Sequence, residues 1–287
     1  GKEPTASMGD DTPPAVLGTT VRPVGHYLRQ RFAQVTNPPI DHLREQHVLS
    51  KRTLLGRRRP LLREDPEAAQ LVALPTFVLS PDGLRGLADP ALELAPRVLD
   101  ATWPAGEGPR GLRAACRRLG EEAVAAVQAG AGVLVVSDAA AEPGRQDGGG
   151  QDRGWRVAVP SLLAVGAVQQ RLLREGLATR TSVVADTGEP CDSHQAAALL
   201  GYGADAVCPR LTLVTVASLA EGADGAAAAA QDRYVHALEE GVFKVMSKMG
   251  ISVLDAYRGA QIFEAVGLDD EVVETCFAGT ASPLGGI

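Results

Sequence analysis

Cysteine is scarce: the 287 residues hold four, at positions 116, 191, 208 and 276, with no close pair among them. That spacing excludes a sequence-local zinc or iron–sulfur motif and argues against a disulfide framework. Each cysteine reads as a small buried or half-buried hydrophobe in a reducing cytosol. Aromatic residues make up only 4% of the chain; beside abundant Ala and Arg, this points to base composition rather than mechanism. Basic excess is missing too: the net charge is −7, which argues against nucleic acid as a partner. The local cluster Arg57-Arg58-Arg59 is better explained by a solvated loop than by an anion site. No apolar run approaches the ~20 residues that cross a bilayer, so no membrane role is expected. The opening GKEPTASMGDD has no initiator Met, charged leader or apolar leader core. It reads as the middle of a longer, cytoplasmic polypeptide.

What is present is an ordinary globular composition, 45% hydrophobic and 22% charged, long enough for one large or two small domains. The middle of the chain alternates strands and helices. Phe77 to Ser80 and Arg97 to Thr102 are short strand-like runs. Leu112, Ala115, Leu119, Ala123 and Val127 recur at helical spacing and predict a helix over 111–130. Gly132 to Asp138 and Thr181 to Asp186 are apolar runs ending in acid, the pattern of parallel strands buried on both faces. Helices over 160–175 and from Asp192 or Ser193 to Leu200, then a strand over 204–208, complete the alternation. This predicts an α/β fold with a mainly parallel sheet, three-layer or partial-barrel, flanked by helical N- and C-terminal connectors.

The flanks are read more locally. His26 to Val35 is expected as an amphipathic helix with Tyr27, Leu28, Phe32 and Val35 inward, stopped at Thr36-Asn37-Pro38-Pro39 because Pro38 forces Asn37 out of the α region. Asp41 can cap a new helix with Arg44 and Glu45 in its first turn, and Asp65-Pro66-Glu67 can start another. Residues 139–154, rich in Gly, Asp, Arg and Gln, read as an exposed flexible loop. Gly148-Gly149-Gly150 is no phosphate loop, because no helix starts there. The alanine tract from Ala223 is expected to run into a helix broken at Gly241 and resumed to Met249. Arg258 to Val266 and Asp269 to Phe277 are expected as short helices.

Several features imitate chemistry. Cys191-x-x-His194 could be a nucleophile–base pair or half a metal site, but helix capping by its neighbours accounts for it better. His26, His42 and His47 do not share a helical face. Asp138 and Asp186 stand at the carboxyl ends of predicted parallel strands, where α/β folds place ligands. A structural role is preferred for both, and for Glu189 in its Thr-Gly-Glu turn. The residues themselves nominate no catalytic, cofactor-binding or metal residue.

Three runs carry a family resemblance. They are SMGDDTP with FAQVTNPPIDHLREQ (7–46), ADTGEPCDSHQAAALLGYGADAVCPRL (185–211) and KVMSKMGISVLDAYRGAQIFEAVGL (244–268). In that order they resemble the central region of the glutamate synthase large subunit, between its glutamine amidotransferase domain and its FMN-binding barrel. The resemblance implies a domain that joins the two and helps line an internal ammonia channel, with Met8, Gly9, Thr36, Asn37, Lys244 and Lys248 at the channel or interdomain surfaces. The parent reaction it implies is reductive transfer of the glutamine amide nitrogen to 2-oxoglutarate, giving two glutamates. FMN and a 3Fe-4S cluster belong to that parent, and none to this segment, which is expected to be inactive alone. It further implies division into an N-terminal connector (1–60), an α/β region (61–222) and a helical connector toward the barrel (223–287), with a small subunit as a further partner. The rival reading is a free-standing, non-catalytic α/β module that associates with separately encoded amidotransferase and flavin subunits. Two places depart from the family pattern: Cys208-Pro209-Arg210 stands for its Asn-Pro-Tyr, and Lys51 occupies a commonly apolar position.

Overall fold

The computed structural model describes residues 13–32, 40–41, 43–60, 62, 64–141, 155–189, 191–220 and 225–286. The expected turns at Met8–Gly9 and Thr36–Asn37, and most of the expected loop over 139–154, lie outside these residues. Of that loop, Ala139–Ala141 forms a short 3-10 turn.

The N-terminal part differs from the expected helix over 26–35. A 3-10 turn over Val24–Tyr27 runs into β1 (Leu28–Gln30). Tyr27 and Leu28 are buried as expected, but Phe32 is 55% exposed. The helical spacing is overridden because Leu28–Gln30 finds a distant partner strand that completes its backbone hydrogen bonds. Asp41 does act as a cap: its carboxylate accepts from the Leu43 and Arg44 amides, and Glu45 reaches back to the Asp41 amide. Only a short 3-10 turn over Gln46–Val48 follows. Strands β2 (Thr53–Leu55) and β3 (Val72–Leu74) pair antiparallel. Between them Asp65 caps one 3-10 turn with Pro66 at its first position.

The α/β region begins with α1 (Pro81–Gly86), capped by Ser80. It continues through β4 (Pro96–Asp100), β5 (Thr102–Pro104), α2 (Gly108–Gln128), β6 (Val133–Ser137) and β7 (Arg156–Ala158). Then come α3 (Ser161–Arg174), β8 (Ser182–Thr187), α4 (Ser193–Gly201), β9 (Ala206–Pro209) and α5 (Arg210–Ser218). Strands β4, β6, β8 and β9 form one parallel sheet in chain order. The segment around Val78 adds a parallel bridge at the outer edge of β9. Period-two alternation sorts the side chains onto two faces. Leu134, Val136, Val183, Ala185 and Val207 pack into the cluster that holds α2, α3 and α4. Val133, Val135, Val184, Ala206 and Cys208 pack with Leu55, Leu79, Leu87 and Leu94. Helices α2, α3 and α4 cover one face and Leu84 of α1 packs on the other, giving the expected α/β fold with a parallel sheet.

The C-terminal part brings two corrections. Helix α6 (Ala226–Met249) is continuous and passes through Gly241. A Cβ at Gly241 would stand 1.8 Å from the Ser193 hydroxyl, so this glycine permits close approach of α6 to α4 instead of ending a helix. After α7 (Leu254–Tyr257) the chain forms β10 (Phe263–Val266), not a helix. Phe263 and Ala265 point inward while Glu264 and Val266 are half-buried, a period of two that four residues cannot announce. Strand β10 lies between antiparallel β1 and parallel β11 (Ala281–Leu284), with α8 (Asp270–Cys276) between β10 and β11 in sequence. The largest apolar cluster runs from Tyr27 to Phe277, so both flanks share the core of the sheet.

Candidate functional site

Register places Asp100, Ser137, Asp186 and Cys208 in one row across the carboxyl ends of the sheet. This is where a parallel α/β sheet collects polar side chains, because backbone pairing stops there. The strand-end acids read from the sequence, Asp138 and Asp186, are indeed brought together, and Arg210 closes the group. Its guanidinium donates to Asp186 at 3.0 Å and to Asp138 at 2.7 Å. The Ser137 hydroxyl donates to the other Asp186 oxygen at 2.6 Å. The Gly188 amide donates to both Asp138 oxygens at 2.9 Å, and the Thr187 hydroxyl adds 3.2 Å. Asp138, Asp186 and Arg210 are all buried. Burial pushes the Asp138 carboxyl above its usual range, against the Gly188 amide and the Arg210 guanidinium.

A cleft of about 640 Å³ opens onto this row. Its lining includes Leu84 and Arg85 of α1, Val98, Val135, Asp186 and Arg210. At its rim Asp100 accepts from the Thr102 hydroxyl at 2.5 Å and from Arg156 at 2.8 Å. The carboxylates described here are thus engaged by donors of the protein itself. Cys208 supplies no nucleophile, since burial and the nearby Asp186 push its thiol up to about 12.

The other imitators resolve into structure. Glu189 receives the Ser161 amide, the Ser161 hydroxyl and the Gln195 side chain, which ties its carboxylate to the start of α3. Asp192 caps α4 through the Gln195 amide at 2.7 Å. Cys191 and His194 serve different partners. Burial pushes the Cys191 thiol up to about 12, while His194 Nε2 donates to the Gly25 carbonyl at 2.8 Å. Among the described residues no three His, Cys, Asp or Glu side chains converge as metal ligands. Nor is any helix among them long and apolar enough to cross a membrane.

Of the residues singled out by resemblance, Met8, Gly9, Thr36 and Asn37 lie outside the described residues. Lys244 and Lys248 lie on α6, and the Lys248 ammonium stands 5.7 Å from the centre of the Phe32 ring. Sequence reasoning did not foresee the role of the two departures from the family pattern. Arg210 closes the strand-end network, and Lys51 pairs with the buried Glu239 of α6. Both are cations that meet a buried carboxylate, a match no linear spacing displays.

The glutamate synthase central domain family model matches residues 1–269. The chain is 42% identical over 302 aligned residues to the chloroplastic ferredoxin-dependent glutamate synthase of Oryza sativa subsp. japonica, covering 100% of this chain and 18% of that protein. It is 40% identical over 290 residues to the large chain of glutamate synthase [NADPH] from Azospirillum brasilense, with the same coverage. The large chain from Bacillus subtilis (strain 168) is also 40% identical, over 293 residues. Among solved structures, a mandelate oxidase overlaps 48% of this chain and 36% of its own at 26% identity and a TM-score of 0.34. The chain therefore spans about a fifth of the length of these glutamate synthases, and it belongs to the glutamate synthase central domain family.

Proposed function

We propose that this chain is the joining segment of a glutamate synthase, set between a glutamine amidotransferase domain and an FMN-binding barrel, where it helps wall the route of ammonia. One observation carries the reading: the family match runs over residues 1–269 while the chain accounts for 18% of relatives that are themselves glutamate synthases. The parent would release ammonia from glutamine and transfer it, with two electrons, to 2-oxoglutarate. In this reading residues 1–60 and 223–287 are connectors on either side of the α/β region 61–222. FMN and the 3Fe-4S cluster belong, in this reading, to the parent enzyme outside this segment. The internally paired carboxylates at the strand ends suit a rigid scaffold better than acid–base chemistry. The isolated chain is therefore expected to be colourless and without glutaminase or glutamate synthase turnover.

Ammonia must cross uncharged, so its walls need fixed turns and few ionisable groups. We assign that role to Met8, Gly9, Thr36 and Asn37, with Lys244 and Lys248 at the interdomain surface. Asn37 directly precedes Pro38, which restricts its backbone, and Thr36 stands next to it. In the assembled parent enzyme, Thr36→Val with Asn37→Leu should leave glutamine hydrolysis within about twofold, a change of under ~0.5 kcal/mol in barrier. Glutamate formed per glutamine hydrolysed should fall while free ammonia appears in solvent. Matched stoichiometry in a folded double variant would remove these residues from the channel.

A further inference from the structure

Strand β4 is an edge of the parallel sheet: β6 lies on one side of it and, among the described residues, no strand lies on the other. The Ala101 amide donates to the Ser137 carbonyl at 2.8 Å, which fixes the parity of the ladder. Arg97 and Leu99 turn their backbone groups to β6, while Val98 and Asp100 turn theirs to the open edge. That edge is short. Pro96 brings no amide, Arg118 of α2 donates to the Asp100 carbonyl at 2.8 Å, and the Ala101 carbonyl accepts from the Val159 amide. The groups that face outward are the Pro96 carbonyl, the amide and carbonyl of Val98 and the Asp100 amide. The Val98 side chain, in mid-strand, is 65% exposed, although β-branched residues in a strand ordinarily pack.

A groove follows each face of this edge, and Pro96 and Val98 line both. On the α2 face the groove holds about 650 Å³ and is lined by Ala125, Ala126 and Ala129, together with Arg97 and Glu122. On the other face is the cleft of about 640 Å³ at the strand ends, with Leu84 and Val135 in its lining. Successive side chains of a strand laid against β4 would enter the two grooves in turn. We propose that β4 is a strand-addition site for a short apolar run, in extended conformation, from the parent polypeptide outside these 287 residues. Length argues for that occupant: this chain makes up 18% of the glutamate synthases it matches, so most of such a polypeptide lies outside it. Burial sets its chemistry. A further strand covered on both faces needs consecutive apolar residues, as β6 and β8 have. A second copy of this chain fits less well, because its own β4 presents Pro96, Arg97 and Asp100.

This assignment rests on the reading of the chain as a segment of a glutamate synthase, which the intact mass of the natural polypeptide tests separately. In the assembled parent enzyme, Val98→benzoylphenylalanine places a photo-crosslinker on the open edge, and the linked peptides are mapped by mass spectrometry. The expected product joins position 98 to an apolar run of the same polypeptide outside the 287 residues. Hydrogen exchange in the unmodified parent then reports backbone pairing. The Val98 and Asp100 amides should exchange within about tenfold of Leu99, whose amide is bonded inside the sheet, whereas amides of a solvent-facing edge would exchange on the order of 100-fold faster. Crosslinks confined to these 287 residues, to a second copy or to solvent would overturn the proposal. So would fast exchange at Val98 and Asp100 beside a protected Leu99, even with the expected crosslink, because cover without backbone bonds is not strand addition. Either of those results in a polypeptide of parent length would leave the segment reading standing.

Discussion

Two buried carboxylate–arginine clusters stand at opposite ends of the same parallel sheet. At the carboxyl end, Asp138 and Asp186 share Arg210, and the remaining donors are Ser137, Thr187 and the Gly188 amide. At the amino end, Asp205 precedes β9 and accepts the Val183 amide at 2.8 Å. Its other oxygen faces Arg258 at 3.2 Å and Arg58 at 4.0 Å. Neither that oxygen nor Arg258 Nε makes a well-directed hydrogen bond. Burial therefore outweighs both guanidiniums and pushes the Asp205 carboxyl to about 6. The first cluster is assembled mainly by strand ends and their turns, which set donor geometry through the backbone. The second relies on long side chains from remote segments, which bring charge near without directing every bond. Proximity of opposite charge is not satisfaction, and the difference should be measurable.

The largest effect should come from Arg210→Met. It leaves two carboxylates facing each other out of water, at an expected cost of about 3–5 kcal/mol in urea unfolding at neutral pH. Part of that loss should return on acidification as one carboxylate takes a proton. A loss below ~1 kcal/mol would show that the two clusters are equally loose, and the comparison would fail.

Asp205→Asn should act through pH. The folded carboxyl sits above its ordinary value of 3.8, so the folded state holds this proton more tightly than the unfolded chain. The stabilisation it contributes is complete below pH ~4 and is lost as pH rises through about 6. Wild type should therefore gain stability over Asp205→Asn, by about 1 kcal/mol, between pH 7 and pH 5. Parallel unfolding midpoints for the two proteins across that range would mean that Asp205 stays ionised.

The smallest change is expected from Arg58→Met. Its paired contact is with Asp255 at 2.8 and 3.2 Å, and both side chains are partly solvated. Removing it should cost about 0–1 kcal/mol, and less as salt is added. A salt-independent loss as large as that of Arg210→Met would move Arg58 into the buried cluster.

The sheet was legible because its signals are local. The apolar runs of β6 and β8 and the regular face of α2 record burial over consecutive turns or residues, and Asp138 and Asp186 marked their strand ends. The β1–β10–β11 sheet was not legible. Leu28–Gln30 pairs with Phe263–Ala265, and segments of three or four residues carry too little period to separate strand from helix. Gly241 misled for a related reason. Its meaning lies in Ser193 across a helix contact, whereas its sequence context offers only a low helix propensity.

By itself, then, the chain's order of residues determined the family, the alternation of the central strands and helices, and the acids at the strand ends. Those properties are written in runs and periods along the backbone. Only the tertiary structure decided that Arg210 joins Asp138 to Asp186 and that Lys51 meets Glu239. Each is a pairing between positions distant in sequence, and such a pairing exists only once folding has brought the two segments together and buried the carboxylate.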